Sequence, residues 1–269
     1  MTGALFPAIR HALLSAKPMA KVKAARAVAR DWRLARLSAA APEAMPERPA
    51  RPDHPELLPP RLMPRRRGGS AQAQTAMLHA LAHIEFVAID LALDLAGRFG
   101  ADQPSEFMDD FLSIAADEAM HFALLERRLN ALGSHYGAMP AHDGLWEAAE
   151  ATQDDLLARL AIVPMVLEAR GLDVCPATIS RFEAMGDSAT VRIIKRILDD
   201  EVRHVALGAK WFNRLCESRN LEPVKHWQSL VNSRFRGALK PPFNDSARES
   251  AGLTRDYYQS LASAPRGGQ

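Results

Sequence analysis

Residues 117–121 read Asp-Glu-Ala-Met-His, and residues 200–204 read Asp-Glu-Val-Arg-His. Each is a Glu-x-x-His on a stretch whose apolar residues recur at helical spacing. That places Glu118 with His121, and Glu201 with His204, on one helix face about one turn apart. The first pair is flanked by Ile114, Ala115, Phe122 and Leu125, the second by Ile197, Leu198, Val205 and Leu207. A single copy of this motif is usually a solvated stripe. Two copies set among apolar neighbours bury four ionisable groups, which is costly unless something neutralises them. A metal ion would do so.

The helices that carry the motifs have partners. The first of four long helices is predicted from about Ala71 to Phe99, the second from Ser105 to about Leu132 with Gly133 as its stop. The third is predicted from about Leu145 to Arg170, kinked at Pro164 and closed by Gly171, with a short helix after Cys175-Pro176. The fourth spans roughly Ser188 to Glu217. No strand pattern competes, and four such helices read as an all-α four-helix bundle. A bundle metal site needs one more carboxylate from each remaining helix. Glu85, in ALAHIEFVAIDLA, and Glu168, in AIVPMVLEAR, both interrupt apolar runs. Glu85 to Glu118 is 33 residues, as is Glu168 to Glu201, and the two halves are offset by 83. Six groups then form two symmetric halves around one centre. Four carboxylates and two imidazoles suit Fe or Mn and suit structural zinc poorly.

At the ends, residues 1–42 read as a basic helical segment and 43–70 as a Pro/Arg-rich linker. The bundle occupies 71–218, and 219–269 form a helical extension containing the segment LKPPFN. Residues 1–70 hold 14 Lys/Arg against 5 Asp/Glu, so the net charge of +2 hides a basic arm on an acidic body. The arm can imitate a mitochondrial transit peptide, but a basic amphipathic helix of the folded protein is preferred. The run Arg65-Arg66-Arg67 is a candidate RNA or phosphate contact, although charge runs on linkers are usually just solvated. With 48% apolar and 25% charged residues the chain is not disordered. Cys175 and Cys216 form no CxxC pair, which argues against a disulfide framework and for a reducing, cytoplasmic compartment. The apolar stretch 76–97 carries too many ionisable groups for lipid, so no membrane is expected.

The order Glu, Glu-x-x-His, Glu, Glu-x-x-His over residues 71–218 resembles the ferritin-like superfamily of di-iron and di-manganese carboxylate proteins. AADEAMHFALL, YGAMPAHDGLW, PMVLEARGLD, DDEVRHVALGAKWF and LKPPFN look like an uncharacterised bacterial group within it, from about residue 50 to 258. The superfamily's tRNA hydroxylase is a more distant relation. The resemblance implies Glu85, Glu118, His121, Glu168, Glu201 and His204 as ligands to two Fe or Mn ions, or one of each. It suggests that Asp117 and Asp200 hydrogen-bond a ligand histidine, the alternative being plain surface carboxylates.

The function expected is a dinuclear oxidoreductase activating O2 or peroxide to hydroxylate a small molecule or modified nucleoside, with a possible electron-donor protein. Iron handling or peroxide scavenging without an organic substrate is an alternative, and a metal-stabilised module binding RNA or an anionic surface is another. Other residues have plainer readings. His83 lies about 160° around the helix from Glu85 and pairs with His79 in packing or hydrogen bonding. Trp211 reads as core. Gly208 either opens space for substrate or serves helix packing. Asp143 is most simply a cap, His142 reads as a cap or part of a lid, and Tyr136 and Lys240 read as polar groups at an entrance; none is assigned a catalytic role.

Overall fold

The computed structural model describes residues 3–64 and 71–262; the Arg65-Arg66-Arg67 run lies outside them. The chain divides into two compact units, Met1–Trp146 and Glu147–Gln269.

In the N-terminal unit, α1 (Leu5–Leu13) and α2 (Pro18–Arg33) precede the long helices α3 (Ala71–Phe99) and α4 (Ser105–Ala131). The turn at residues 100–104 folds α4 back along α3, α2 packs on α4, and α1 packs on α2 and α3. The expected stop holds: Leu132 caps the end of α4 and Gly133 adopts a φ of +75°, a conformation that favours glycine. Two strands that no sequence pattern announced, β1 (Gly3–Ala4) and β2 (Leu37–Ser38), pair in parallel. At two residues each they are too short to show alternation.

By length and composition α3 could cross a membrane, yet 72% of its most apolar window is buried inside the protein, as in a core helix. Its interior acids are matched by cations. Arg98, one turn on, binds Asp94 at 2.7 Å. Asp90 receives the Lys21 ammonium from α2 at 2.5 Å and the Arg51 guanidinium. Arg51 belongs to the Pro-rich stretch, which runs over this unit as an irregular strap. Ala50 N donates to Leu13 O, Leu58 N to Ala141 O and Ala141 N to Glu56 O, while Arg98 holds the carbonyl of Pro46. Several of the strap's backbone groups are therefore spent on the unit it crosses.

The C-terminal unit contains α6 (Leu156–Ile162), a π-helical segment at Val163–Glu168, α7 (Ala169–Ala184), α8 (Ser188–Ser218), α9 (Pro223–Arg234) and the short α10 (Asp245–Ser250) and α11 (Arg255–Tyr258). The third helix departs from expectation. A separate short helix, α5 (Gly144–Glu150), precedes it, and Asp155 then caps α6 by accepting from the backbone N–H of Leu157 at 2.9 Å. From there one helical run continues through Gly171 and Pro176 to Ala184. Pro164 produces a π segment rather than a simple kink, and Glu168 is the last residue of that widened turn. Pro176 deprives the Leu172 carbonyl of its helical donor. Asn244 Nδ2 supplies a replacement at 3.1 Å, so the end of LKPPFN lets the helix persist. Asp173 fastens the same corner, bound by Arg248 at 2.7 Å. The fourth helix matches expectation, with Asp187 capping the Thr190 N–H at 3.0 Å.

Gly208 resolves in favour of packing. A Cβ there would stand 2.4 Å from Cβ of Pro164, so the glycine admits the proline ring. Gly208→Ala is expected to lower the urea midpoint with little change in slope. The overpacking should cost about 1–3 kcal/mol, more than the roughly 1 kcal/mol that alanine returns in helix propensity. An unchanged midpoint would show that the π segment gives way freely.

Candidate metal centre

The two Glu-x-x-His motifs lie one in each unit. In the N-terminal unit, α3 supplies Glu85 and α4 supplies Glu118 and His121. Their exposures are 4%, 0% and 0%. His121 Nδ1 lies 3.1 Å from Glu85 Oε2 and 3.4 Å from Glu118 Oε2. The three belong to a buried cluster whose ligating atoms fall within 4.8 Å of one another, and that cluster could hold metal. Burial opposes a charged imidazole at His121, but the Glu118 and Glu85 carboxylates outweigh it and hold the ring's proton up to about 11. In the metal-free chain a proton thus does part of a cation's work.

In the C-terminal unit the Glu-x-x-His pair recurs, though Glu168 lies outside the buried cluster of ligating atoms that Glu85 joins. His204 Nδ1 faces Glu201 Oε1 at 3.7 Å, with the histidine fully buried and the glutamate nearly so. In both motifs it is therefore Nδ1 that turns toward the carboxylate three residues earlier. Gly171, one turn beyond Glu168, has its Cβ position 3.8 Å from Glu201 Cγ, so the Glu201 side chain lies against the turn that Glu168 begins. The expected helix stop at Gly171 is instead an interior residue beside this carboxylate.

Of the flanking acids, Asp200 accepts from Arg196 Nε at 2.6 Å, and Asp117 is half-buried on α4. His79 and His83 serve structure, as their spacing suggested. His79 Nε2 accepts from Gly137 N at 2.9 Å and its ring stacks on Tyr136. Burial lowers the proton affinity of His83 to about 3, leaving a neutral ring between the Tyr136 hydroxyl at 2.9 Å and the His142 carbonyl at 3.1 Å. Asp143 pairs with Arg48 of the strap. The Lys240 carbonyl accepts from Arg170 at 2.6 Å. Trp211 is buried, with Arg214 about its ring at 5.0 Å.

Sequence reasoning missed the Lys21–Asp90–Arg51 group. A signal existed: an aspartate deep in the run FVAIDLALDLA requires a cation, and the basic arm is where cations are plentiful.

The model of the family described as "Protein of unknown function (DUF455)" matches residues 14–259. The chain belongs to this family. The DUF455 match takes in both Glu-x-x-His motifs and the strap. An "Uncharacterized protein" of Haemophilus influenzae (strain ATCC 51907 / DSM 11121 / KW20 / Rd) is 40% identical over 210 residues, covering 76% of this chain and 73% of its own length. No solved structure matches.

Proposed function

We propose that this chain is a dinuclear metal carboxylate oxidoreductase, built as a ferritin-like four-helix bundle. In it Glu85, Glu118 and His121 would face Glu168, Glu201 and His204 around two Fe or Mn ions. The observation that carries this reading is the repetition of one local geometry. Two buried Glu-x-x-His pairs each turn Nδ1 toward their glutamate, and each has a further glutamate 33 residues earlier. The donor set fits the group: carboxylates and imidazoles are the ligands such ions accept, and four carboxylates balance two divalent charges.

When bound, the ions would supply electrons to O2 or peroxide and the Lewis acidity that polarises it. The chain's own part is to hold and orient. Glu85 and Glu118 fix the His121 ring from two helices, and the aliphatic and aromatic residues beside them, among them Ala115, Ala119 and Phe122, exclude water. Glu168 stands at the end of a widened turn, where an extra residue re-aims the side chain relative to a regular helix. Oxidation or hydroxylation of a small organic substrate is the reaction class that follows.

The test is spectroscopic. Protein loaded with iron under anaerobic conditions and reduced should show an oxygen-dependent change in its metal absorption. A stable, metal-loaded protein without that change defeats the oxidoreductase reading.

A further inference from the structure

We propose that the outward face of α2, with the turns at its two ends, docks the chain on the surface of an anionic phospholipid bilayer without crossing it. This inference does not rest on the metal reading. Met19, Lys23, Arg26, Arg30 and Arg33 are all exposed. They stand at i, i+4, i+7, i+11 and i+14, which in a helix of 3.6 residues per turn confines them to an arc of about 80°. The stripe runs straight along the helix for about 21 Å, at 1.5 Å per residue. The opposite face is already used. Lys21, Val22, Ala25 and Val28 are buried, and α2 packs on α4.

Charge on the outward face is one-sided. Residues 1–42 contain eight Lys/Arg and a single acid, Asp31. Asp31 is held by Arg30 at 3.0 Å and by Arg36 at 3.3 Å. Asp109, which reaches across from α4, accepts from the Trp32 indole at 2.7 Å. Lys17, Lys23, Arg26 and Arg33 are exposed and make no ion pair among the described residues. An ordinary solvated surface intersperses both signs, so four unanswered cations along one helix call for an anionic partner.

Apolar exposure decides the kind of partner. Among the described residues six large apolar side chains are exposed. Three of them lie on α2 or in the turns that flank it: Leu14 at 41%, Met19 at 45% and Leu34 at 48%. Nucleic-acid phosphates would answer the cations but offer nothing to these side chains. A bilayer surface answers both. Lipid phosphates meet the Lys and Arg heads, while Leu and Met reach the boundary between headgroups and acyl chains.

The experiment is flotation of the full-length protein with vesicles of phosphatidylcholine alone, and of phosphatidylcholine mixed with anionic phosphatidylglycerol. The chain should float with the anionic vesicles and not with the neutral ones, and added salt should release it. The triple variant Lys23→Glu, Arg26→Glu, Arg33→Glu should bind about a hundredfold more weakly, since each cation near such a surface contributes about fivefold. Leu14→Ser with Met19→Ser should weaken vesicle binding severalfold while leaving affinity for a single-stranded oligonucleotide unchanged. Both variants alter exposed side chains without hydrogen-bond partners, and circular dichroism checks that their helices persist. Absence of flotation, or equal flotation with both vesicle types, overturns the proposal. So does a loss below about threefold in the folded triple variant. Displacement from anionic vesicles by the oligonucleotide, with the serine variant binding vesicles as well as wild type, would assign the face to nucleic acid and also overturn it.

Discussion

Asp90→Ala is expected to cost about 3–5 kcal/mol of unfolding free energy, a large share of the roughly 5–15 kcal/mol typical of a folded protein. Asp90 is fully buried and answers two cations from different parts of the chain, Lys21 of α2 and Arg51 of the strap. Burial pushes the Asp90 carboxyl up, against the pull of Arg51 and Lys21; burial likewise pushes the Lys21 ammonium down, against the pull of Asp90. Desolvation is thus the larger force on each group alone, and the pairing is what makes the charges tolerable. Removing the carboxylate leaves Lys21, among the described residues, hydrogen-bonded to the Leu13 carbonyl at 2.8 Å, and leaves Arg51 beside a second cation. Urea unfolding measures the loss. Hydrogen exchange should show the Ala50 and Leu58 amides, which tie the strap to Leu13 and Ala141, opening well before the core of α3. Replacing all three charges by apolar residues of similar volume should restore much of the stability. A loss below about 1 kcal/mol would mean that the buried pair is weak enough to be counted with surface ion pairs.

That network also marks where the sequence stopped being legible. The spans of α3, α4 and α8 followed from apolar periodicity and from stops such as Gly133, because these are local signals. The continuation of the third helix through Pro176 did not, because the donor that replaces the proline's missing N–H comes from Asn244, 72 residues away from the carbonyl it serves. Nor could composition show that Arg51, in a stretch that reads as solvated linker, reaches a buried aspartate 39 positions later. The site divides in the same way. Helical spacing was enough to put Glu118 beside His121 and Glu201 beside His204. The approach of Glu85 to His121 at 3.1 Å depends on the packing of α3 on α4. The seating of Pro164, within the π segment that ends at Glu168, against Gly208 is a contact between distant residues that a single sequence does not encode locally.

A Glu118→Ala, Glu201→Ala double variant should lose the metal altogether, where purified wild-type protein should carry about two Fe or Mn ions per chain as the two-helix-pair ligand set requires. The argument is electrostatic before it is geometric. Each substitution takes one charge from a half-site that also presents a buried histidine, so the remaining donors no longer balance a divalent ion removed from water. Uptake should also release protons and tighten as pH rises, because a metal at the N-terminal half-site must displace the proton that Glu118 and Glu85 hold on His121 up to about 11. The metal-free protein should show the opposite trend in its stability. A histidine whose folded pKa is raised stabilises the fold fully below its ordinary value of 6.5, and that contribution fades as pH climbs toward about 11. Glu118→Ala removes the carboxylate that does more of the two to raise it and should flatten that alkaline decline. Elemental analysis with a pH series of anaerobic metal titrations reads both effects. Wild-type protein that stays metal-free after anaerobic loading, or a double variant that keeps its full complement, would mean that the paired motifs are acid clusters satisfied by protons and hydrogen bonds alone.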